Sequence, residues 1–168
     1  MSIERRAANF IKMSDEVWSV HENPWSVWTR YTCLPLLALA IWSRTWIGVY
    51  AIIPFILACI WTWLNPRIFS KPSSTNHWAS KAVIGERVLL SLADDEIPAH
   101  HNRALANLKI LNFFVFFLTL YGLWALHPVL TVFGTFMTMV AKTWFLDRMV
   151  WLLSDMEDKK PEFKKWLY

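Results

Sequence analysis

The 168-residue sequence lacks the short motifs that mark most nucleotide-dependent enzymes, serine hydrolases and zinc proteases. Phosphate-binding loops, dinucleotide fingerprints, nucleophile elbows and the HExxH pattern are all absent. The only two cysteines, Cys33 and Cys59, lie inside apolar runs, which argues against a disulfide framework or a cysteine-based metal knuckle. Basic residues (17) interleave with acidic ones (13), so nucleic acid is not an expected partner. The first 30 residues hold no apolar core followed by a cleavage site, so we expect no signal peptide.

Apolar residues are abundant instead, at 55% of the chain, and they concentrate in four segments. A helix needs about 20 residues to cross the hydrocarbon core of a bilayer, with about 17 as a lower bound. The shortest segment reaches that length only if Arg30 lies in its first turn and extends to the headgroups. Open sheet is excluded because backbone polar groups in lipid must be satisfied within the segment. We predict an all-α membrane protein whose four transmembrane helices form two hairpins, at 28–42, 46–64, 106–126 and 129–153.

Polar segments flank these helices and complete a single polytopic membrane domain over residues 1–168. The pattern at 1–23 predicts an amphipathic helix in the membrane interface. A second interfacial amphipathic helix is predicted over 77–92, within a cytoplasmic central segment at 65–104. The tail at 157–168 is basic and aromatic, which is typical of a segment on an anionic leaflet.

The charge distribution predicts the orientation. In the four-helix topology every Lys and Arg except Arg44 lies on one side or at the neighbouring helix ends. Segments rich in Lys and Arg stay cytoplasmic, so we expect a multi-pass protein of the inner cell membrane with both termini inside. Tryptophans support this by forming two belts at headgroup depth. The predicted inner belt is Trp25, Trp28, Trp61, Trp63, Trp144 and Trp151, and the outer belt is Trp42, Trp46 and Trp124.

Titratable side chains gather on the predicted cytoplasmic face. Imidazole and carboxylate together suit iron, zinc or manganese, and helical bundles build such sites from facing helices. We therefore predict a metal site there, although this topology by itself also collects polar residues on that face. The candidate ligands are His21, Glu22, His77, Glu86, His100, His101 and Asp147.

Glu86 is the most unusual of these residues. In the helix over 77–92, Glu86 falls beside the apolar face that contains Ala82 and Leu89, whereas Ser80 faces away. A buried carboxylate is costly unless it is paired, protonated or bound to metal. The alternative to a ligand role is a structural ion pair with a basic residue at an inner helix end. The basic residues available for that pair are Arg30, Arg67 and Arg148.

The other candidates also have structural alternatives. One of His100 and His101 can cap the third transmembrane helix while the other meets headgroups. Asp147 belongs to a stripe that recurs every four residues and also contains Asp155. Because adjacent helix residues do not face each other, Asp147 needs a partner on another helix, not Arg148.

Several stretches resemble a family of small prokaryotic four-helix integral membrane proteins of unknown function. They are HENPWSVWTR, LPLLALAIWSRTWIG, WTWLNPR, WASKAVIGERVLL and LDRMVWL. The likeness covers nearly the whole chain. It implies the four-helix architecture and adds no activity.

Two functions follow from these features. The first is a metal-dependent membrane enzyme that acts on a lipid-like or other hydrophobic substrate at the cytoplasmic face. The alternative is a non-catalytic accessory or scaffold subunit of a membrane complex. Membrane lipids are the expected partners in both cases, together with further copies of the chain or a larger membrane complex.

Overall fold

The computed structural model describes residues 15–168, and every regular element in that range is helical. The all-α prediction is therefore confirmed for the described residues. Most of the predicted interfacial helix at 1–23 lies outside them. The α-helices are α1 (Asp15–His21), α2 (Pro24–Arg30), α3 (Cys33–Trp42), α4 (Arg44–Ile47), α5 (Ile52–Leu64), α6 (Trp78–Ser91), α7 (Ala99–Trp124) and α8 (Pro128–Glu157); 3₁₀ turns span Gly48–Ala51 and Pro161–Trp166.

Three helical stretches of the described chain are long and apolar enough to cross a membrane. They are Pro24–Leu64, which contains α2 to α5, and then Ala99–Trp124 and Pro128–Glu157. These stretches indicate a multi-pass membrane protein. The two predicted helices at 28–42 and 46–64 fall together in the first stretch.

The first stretch reverses direction in its middle. Gly48, between α3 and α5, has a φ of 57°, a left-handed conformation that glycine adopts without steric cost. Near the end of α5, Trp61 donates through Nε1 to Oγ1 of Thr32, at 2.9 Å. Asn65 donates through Nδ2 to Oγ1 of Thr29, at 2.7 Å. The end of α5 therefore lies beside the start of α3.

The turn between α7 and α8 lies at the opposite end of the bundle. His127 caps α8 by accepting a hydrogen bond from the Leu130 N–H, and Pro128 occupies the first helical turn. Arg44 donates through Nη2 to the carbonyl oxygen of Leu123, at 2.7 Å, which links this turn to α4. We call this the turn end of the bundle.

The other end of the bundle is covered by α6, and we call it the α6 end. α6 packs along α8 so closely that a Cβ added at Gly85 would lie 2.0 Å from the Met149 carbonyl oxygen. It is therefore a core helix that folds back under the bundle. The projection that turned Ser80 away from the buried side is wrong, because protein covers α6 on several sides and Ser80 is buried.

The C-terminal tail also contributes to the core at the α6 end. Phe163, in the final 3₁₀ turn, is buried against residues of α6 and α8, and Trp166 packs on the same cluster. The backbone N–H of Thr75 donates to the carbonyl oxygen of Tyr168, at 2.7 Å. The aromatic side chains of the tail thus contact protein, which differs from a tail lying flat on a leaflet. The buried members of this core are Ile84, Val88, Leu92, Ile97, Leu105, Met149, Leu152, Leu153, Met156 and Phe163.

Candidate metal centre

Two imidazoles and one carboxylate meet where α7 begins and α8 ends. His100 and His101 lie in the first turn of α7, and Asp155 lies near the end of α8. The Oδ2 atom of Asp155 is 3.1 Å from Nε2 of His100 and 3.0 Å from Nε2 of His101. Within the described chain this is the group of potential ligands whose donor atoms all lie within 4.8 Å of one another.

Helix packing explains why these residues meet. Pro98 directly precedes α7, so the histidine pair falls in its first turn, and α8 returns antiparallel beside α7. Leu105 and Leu152, one turn further into the bundle, belong to the buried core. His101 therefore follows the core-facing side of α7 and is 1% exposed, whereas His100 is 63% exposed.

The spacing of the donors fits a transition-metal ion. Ligands that bind one ion at about 2.0–2.2 Å lie roughly 3 Å or slightly more from each other, and the Asp155 oxygen lies at this distance from each imidazole nitrogen. Two imidazoles and a carboxylate are also the donor set that iron, zinc and manganese accept. The exposed sides of His100 and of Asp155, itself 39% exposed, leave room for further ligands.

Without a metal ion, the same residues can form a hydrogen bond between His101 and Asp155. A neutral His101 that carries its proton on Nε2 donates to Asp155. Its Nδ1 atom is buried and has no hydrogen-bond partner among the residues that the structure describes. Binding a metal through Nε2 would move the proton to Nδ1, so metal binding at this site involves a tautomer change of His101.

His21 and Glu22 belong to a different cluster, formed with two arginines. Arg30 donates through Nη1 to Nε2 of His21, at 2.9 Å. Burial, reinforced by Arg30 and other cations, lowers the pKa of His21 to about 3, so this imidazole is neutral. Glu22 lies 3.9 Å from Nη1 of Arg87, and burial raises its pKa to about 7 although Arg87 opposes that shift. These two residues are joined to arginines, and the structure does not bring them to the His100–His101 pair.

The remaining predicted ligands are also separate from the triad. His77 caps α6, its Nδ1 accepting from the Ala79 N–H at 3.1 Å. Glu86 forms its ion pair with Lys142, at 3.7 Å. Asp147 accepts hydrogen bonds from the indoles of Trp78 on α6, at 3.2 Å, and Trp151 on α8, at 3.3 Å. A metal site that includes Glu86 requires α6 to fold under the bundle; it does so, but its packing brings Glu86 to Lys142 and not to the histidines.

The three arginines proposed as partners of Glu86 have other roles. Arg30 contacts His21, and Arg67 donates to the Trp63 carbonyl oxygen while its guanidinium lies 4.6 Å from the centre of the Trp63 ring. Arg148 is half-buried and forms no ion pair with residues 15–168. The partner of Glu86 is instead Lys142 on α8, whose Nζ lies 3.7 Å from Oε1 of Glu86.

Asp155 is the site residue that sequence reasoning missed. The four-residue stripe on α8 contains both Asp147 and Asp155. The sequence prediction favoured Asp147 because it lies nearer the membrane along the predicted span. Pairing the start of α7 with the end of α8 in an antiparallel arrangement would have selected Asp155 as the carboxylate opposite the two histidines.

Comparison with known proteins assigns a family but no activity. Residues 2–166 match the DUF6653 family, a family of unknown function. The chain belongs to this family. The match covers nearly the whole chain, as the resemblance predicted. Searches among curated proteins and solved structures give no match. Any function of this family member must therefore be argued from its own residues.

Proposed function

We propose that the chain crosses the inner cell membrane four times, as two hairpins, with both termini on the cytoplasmic side. The reversal within Pro24–Leu64 supports two crossings there, because Gly48 lies at the turn end and Asn65 at the α6 end. Charge supports the orientation, since Arg44 is the one basic residue near the turn end among those described.

Cysteine-accessibility labelling in a cysteine-free background tests this topology. Single cysteines at Arg44 and His127 should react with an impermeant reagent applied from outside. Cysteines at Ser74 and Tyr168 should react only after the membrane is opened. Labelling of Ser74 from outside would overturn the topology.

We further propose that this protein is a metal-dependent membrane enzyme, with iron, zinc or manganese bound by His100, His101 and Asp155. The observation that carries this proposal is the shared carboxylate oxygen, 3.0–3.1 Å from both imidazoles. Sets of three protein ligands leave coordination positions for water and substrate, which is typical of catalytic sites. When bound, such an ion supplies Lewis-acid activation of water or of a substrate oxygen.

The position of the site favours a lipid-like or other hydrophobic substrate. The triad lies at the end of two apolar helices, with His100 on the exposed side. A substrate that remains in the membrane would reach this side along the bilayer surface. Buried His101 would hold the ion against the core, and the exposed sides of His100 and Asp155 would leave the ion open to substrate.

Metal analysis of the purified protein tests the first half of this proposal. The wild-type protein should retain iron, zinc or manganese at about one ion per chain. His101→Ala and Asp155→Asn should lower metal affinity by at least about tenfold. His77→Ala is the matched control, because His77 caps α6 away from the triad and its loss should leave metal content unchanged.

Turnover in reconstituted vesicles tests the second half. Lipid extracts are analysed by mass spectrometry after incubation with the metal-loaded protein, the chelated protein and Asp155→Asn. New products formed only by the metal-loaded wild type support an enzyme. Retained metal without any metal-dependent product, or no retained metal, would overturn the enzyme and favour the accessory or scaffold subunit.

A further inference from the structure

A cleft at the α6 end lies apart from the metal triad and shares no residue with it. The cleft has a volume of about 230 Å³ and is formed by α2, α3, α7 and α8. Its apolar walls include Val27, Leu34 and Met139, and its polar groups include Arg30, Asn112 and Lys142. A second cavity of about 250 Å³ adjoins it, because Asn112 and Lys142 line both.

Arg30 lacks a directly bonded carboxylate among residues 15–168. Its guanidinium contacts the imidazole of His21, at 2.9 Å, and Oγ of Ser26, at 3.3 Å, and both of these groups are neutral. Its Nε–H is buried and has no hydrogen-bond partner in the described chain. A partly buried cation with an unused donor is stabilised by an anion that enters from outside.

The nearest carboxylate does not neutralise the cleft. Glu86 lies 3.7 Å from Lys142, which is longer than a hydrogen bond. Its single negative charge can balance only one of the two cations, Arg30 and Lys142. Arg30 and Lys142 against Glu86 leave one positive charge beside apolar walls. This combination is complementary to an anionic headgroup that carries an acyl chain.

The depth of the cleft also matches a lipid. Lys142 lies two residues before Trp144, and Arg30 lies two residues after Trp28. Both indoles are exposed on the outer surface of the helices. Exposed tryptophans mark the boundary between headgroups and hydrocarbon. The cations of the cleft therefore lie near this boundary, where their long side chains can extend to the lipid phosphates, and the apolar walls continue toward the acyl region.

We propose that this cleft is a specific binding site for an anionic membrane phospholipid. Arg30 and Lys142 bind the phosphate, and Asn112 supplies a further polar contact. An acyl chain lies against Val27, Leu34 and Met139. The site is independent of the proposed metal centre, so either can exist without the other.

Thermal-shift titration of the detergent-purified protein tests the site, with EDTA present so that bound metal plays no part. Phosphatidylglycerol should raise the melting temperature in a saturable manner, whereas phosphatidylcholine should not. Arg30→Gln should weaken the apparent affinity for phosphatidylglycerol by about tenfold or more, the loss of one charge-assisted contact. Equal responses to the two lipids would overturn the proposal.

Arg67→Gln is the matched control, because it removes the same charge at the same end of the bundle from a side chain outside the cleft. It should retain the wild-type response, and a loss equal to that of Arg30→Gln would contradict the site. If Arg30→Gln does not fold, Lys142→Gln replaces it with the same expected loss. Glycerol phosphate should give no shift at the lipid concentrations used, and an equal shift would assign the cleft to a soluble anion instead.

Discussion

α5 and α6 differ in a way that reverses the usual relation between apolar character and burial. α5 has no charged residue, yet Ala58 is its one buried residue. α6 contains Lys81, Glu86 and Arg87, yet half of its residues are buried. In a soluble protein the more apolar helix would form the core.

The difference is the one expected of a chain whose apolar helices face lipid while its other parts face protein and water. The apolar surface of α5 needs no protein cover if lipid surrounds it, because lipid tails are as apolar as its side chains. α6 is buried through close approach, since Ala79, Ala82 and Gly85 let it contact α8 and α2. Small residues of this kind are typical of helix contacts in membrane proteins.

Gly85→Leu should have the largest effect, because it prevents α6 from packing against α8. The side chain would overlap the Met149 backbone, which cannot move without displacing α8. We expect a loss on the order of 5 kcal/mol or more of the free energy of unfolding, which approaches the whole stability of a domain. Unfolding in detergent, followed by circular dichroism, measures it.

Ser91→Leu is the control for that change, because Ser91 lies at the exposed end of the same helix. It should leave the free energy of unfolding within about 0.5 kcal/mol of the wild type. A Gly85→Leu protein as stable as the control would mean that α6 does not contact α8.

Two isoleucines, one on each helix, allow the effect of burial to be compared directly. Ile84 on α6 is fully buried, whereas Ile53 on α5 is 56% exposed. Ile84→Ala should cost about 2–5 kcal/mol of the free energy of unfolding, because it leaves a cavity in the core. Ile53→Ala should cost less than about 1 kcal/mol, because detergent or lipid fills the space. Similar losses of the free energy of unfolding for both variants would contradict a protein environment around α6 and a lipid environment around α5.

A smaller effect should come from Glu22, a buried carboxylate that lies 3.9 Å from Arg87 of α6. Its folded pKa of about 7 lies above the ordinary value of 4.5, so the folded protein holds this proton more tightly than the unfolded chain. The resulting stability is fully present below pH 4.5 and is lost as the pH rises through 7. Between pH 6.5 and 8 we expect the contribution of Glu22 to the free energy of unfolding to decline by about 1 kcal/mol.

Glu22→Gln should flatten this decline, since glutamine does not titrate. His21 acts in the opposite sense, because its pKa is lowered to about 3 and its contribution is lost as the pH falls from 6.5 toward 3. The difference in stability between the wild type and Glu22→Gln isolates Glu22, because both proteins contain His21. A difference that does not change between pH 6.5 and 8 would contradict the burial of this carboxylate.

The sequence predicted the helical class and the apolar stretches because their signals are local. Runs of apolar residues and the caps at His127 and Pro128 need no tertiary information. The sequence predicted an interfacial helix over 77–92 and did not predict how much of α6 is buried, because Ala79, Ala82 and Gly85 contribute little to an apolar pattern. Their role depends on the helix that lies against them.

The candidate site was predicted only in part, because it also depends on how the helices pack. The charge pattern selected the end of the bundle where the triad lies and included His100 and His101. Asp155 was not selected, since its closeness to the pair depends on how far α8 extends beside α7. Lys142, the partner of Glu86, is likewise fixed by packing of α6 on α8 and not by spacing along the chain.

X-ray absorption spectroscopy of the metal-loaded protein tests the central claim most directly. The spectrum should show two imidazole nitrogens and at least one oxygen at about 2.0–2.2 Å from the ion. His101→Ala should remove one imidazole contribution or the bound ion altogether, while His77→Ala should leave the spectrum unchanged. A spectrum without imidazole, or one unaffected by His101→Ala, would contradict a metal centre at His100, His101 and Asp155.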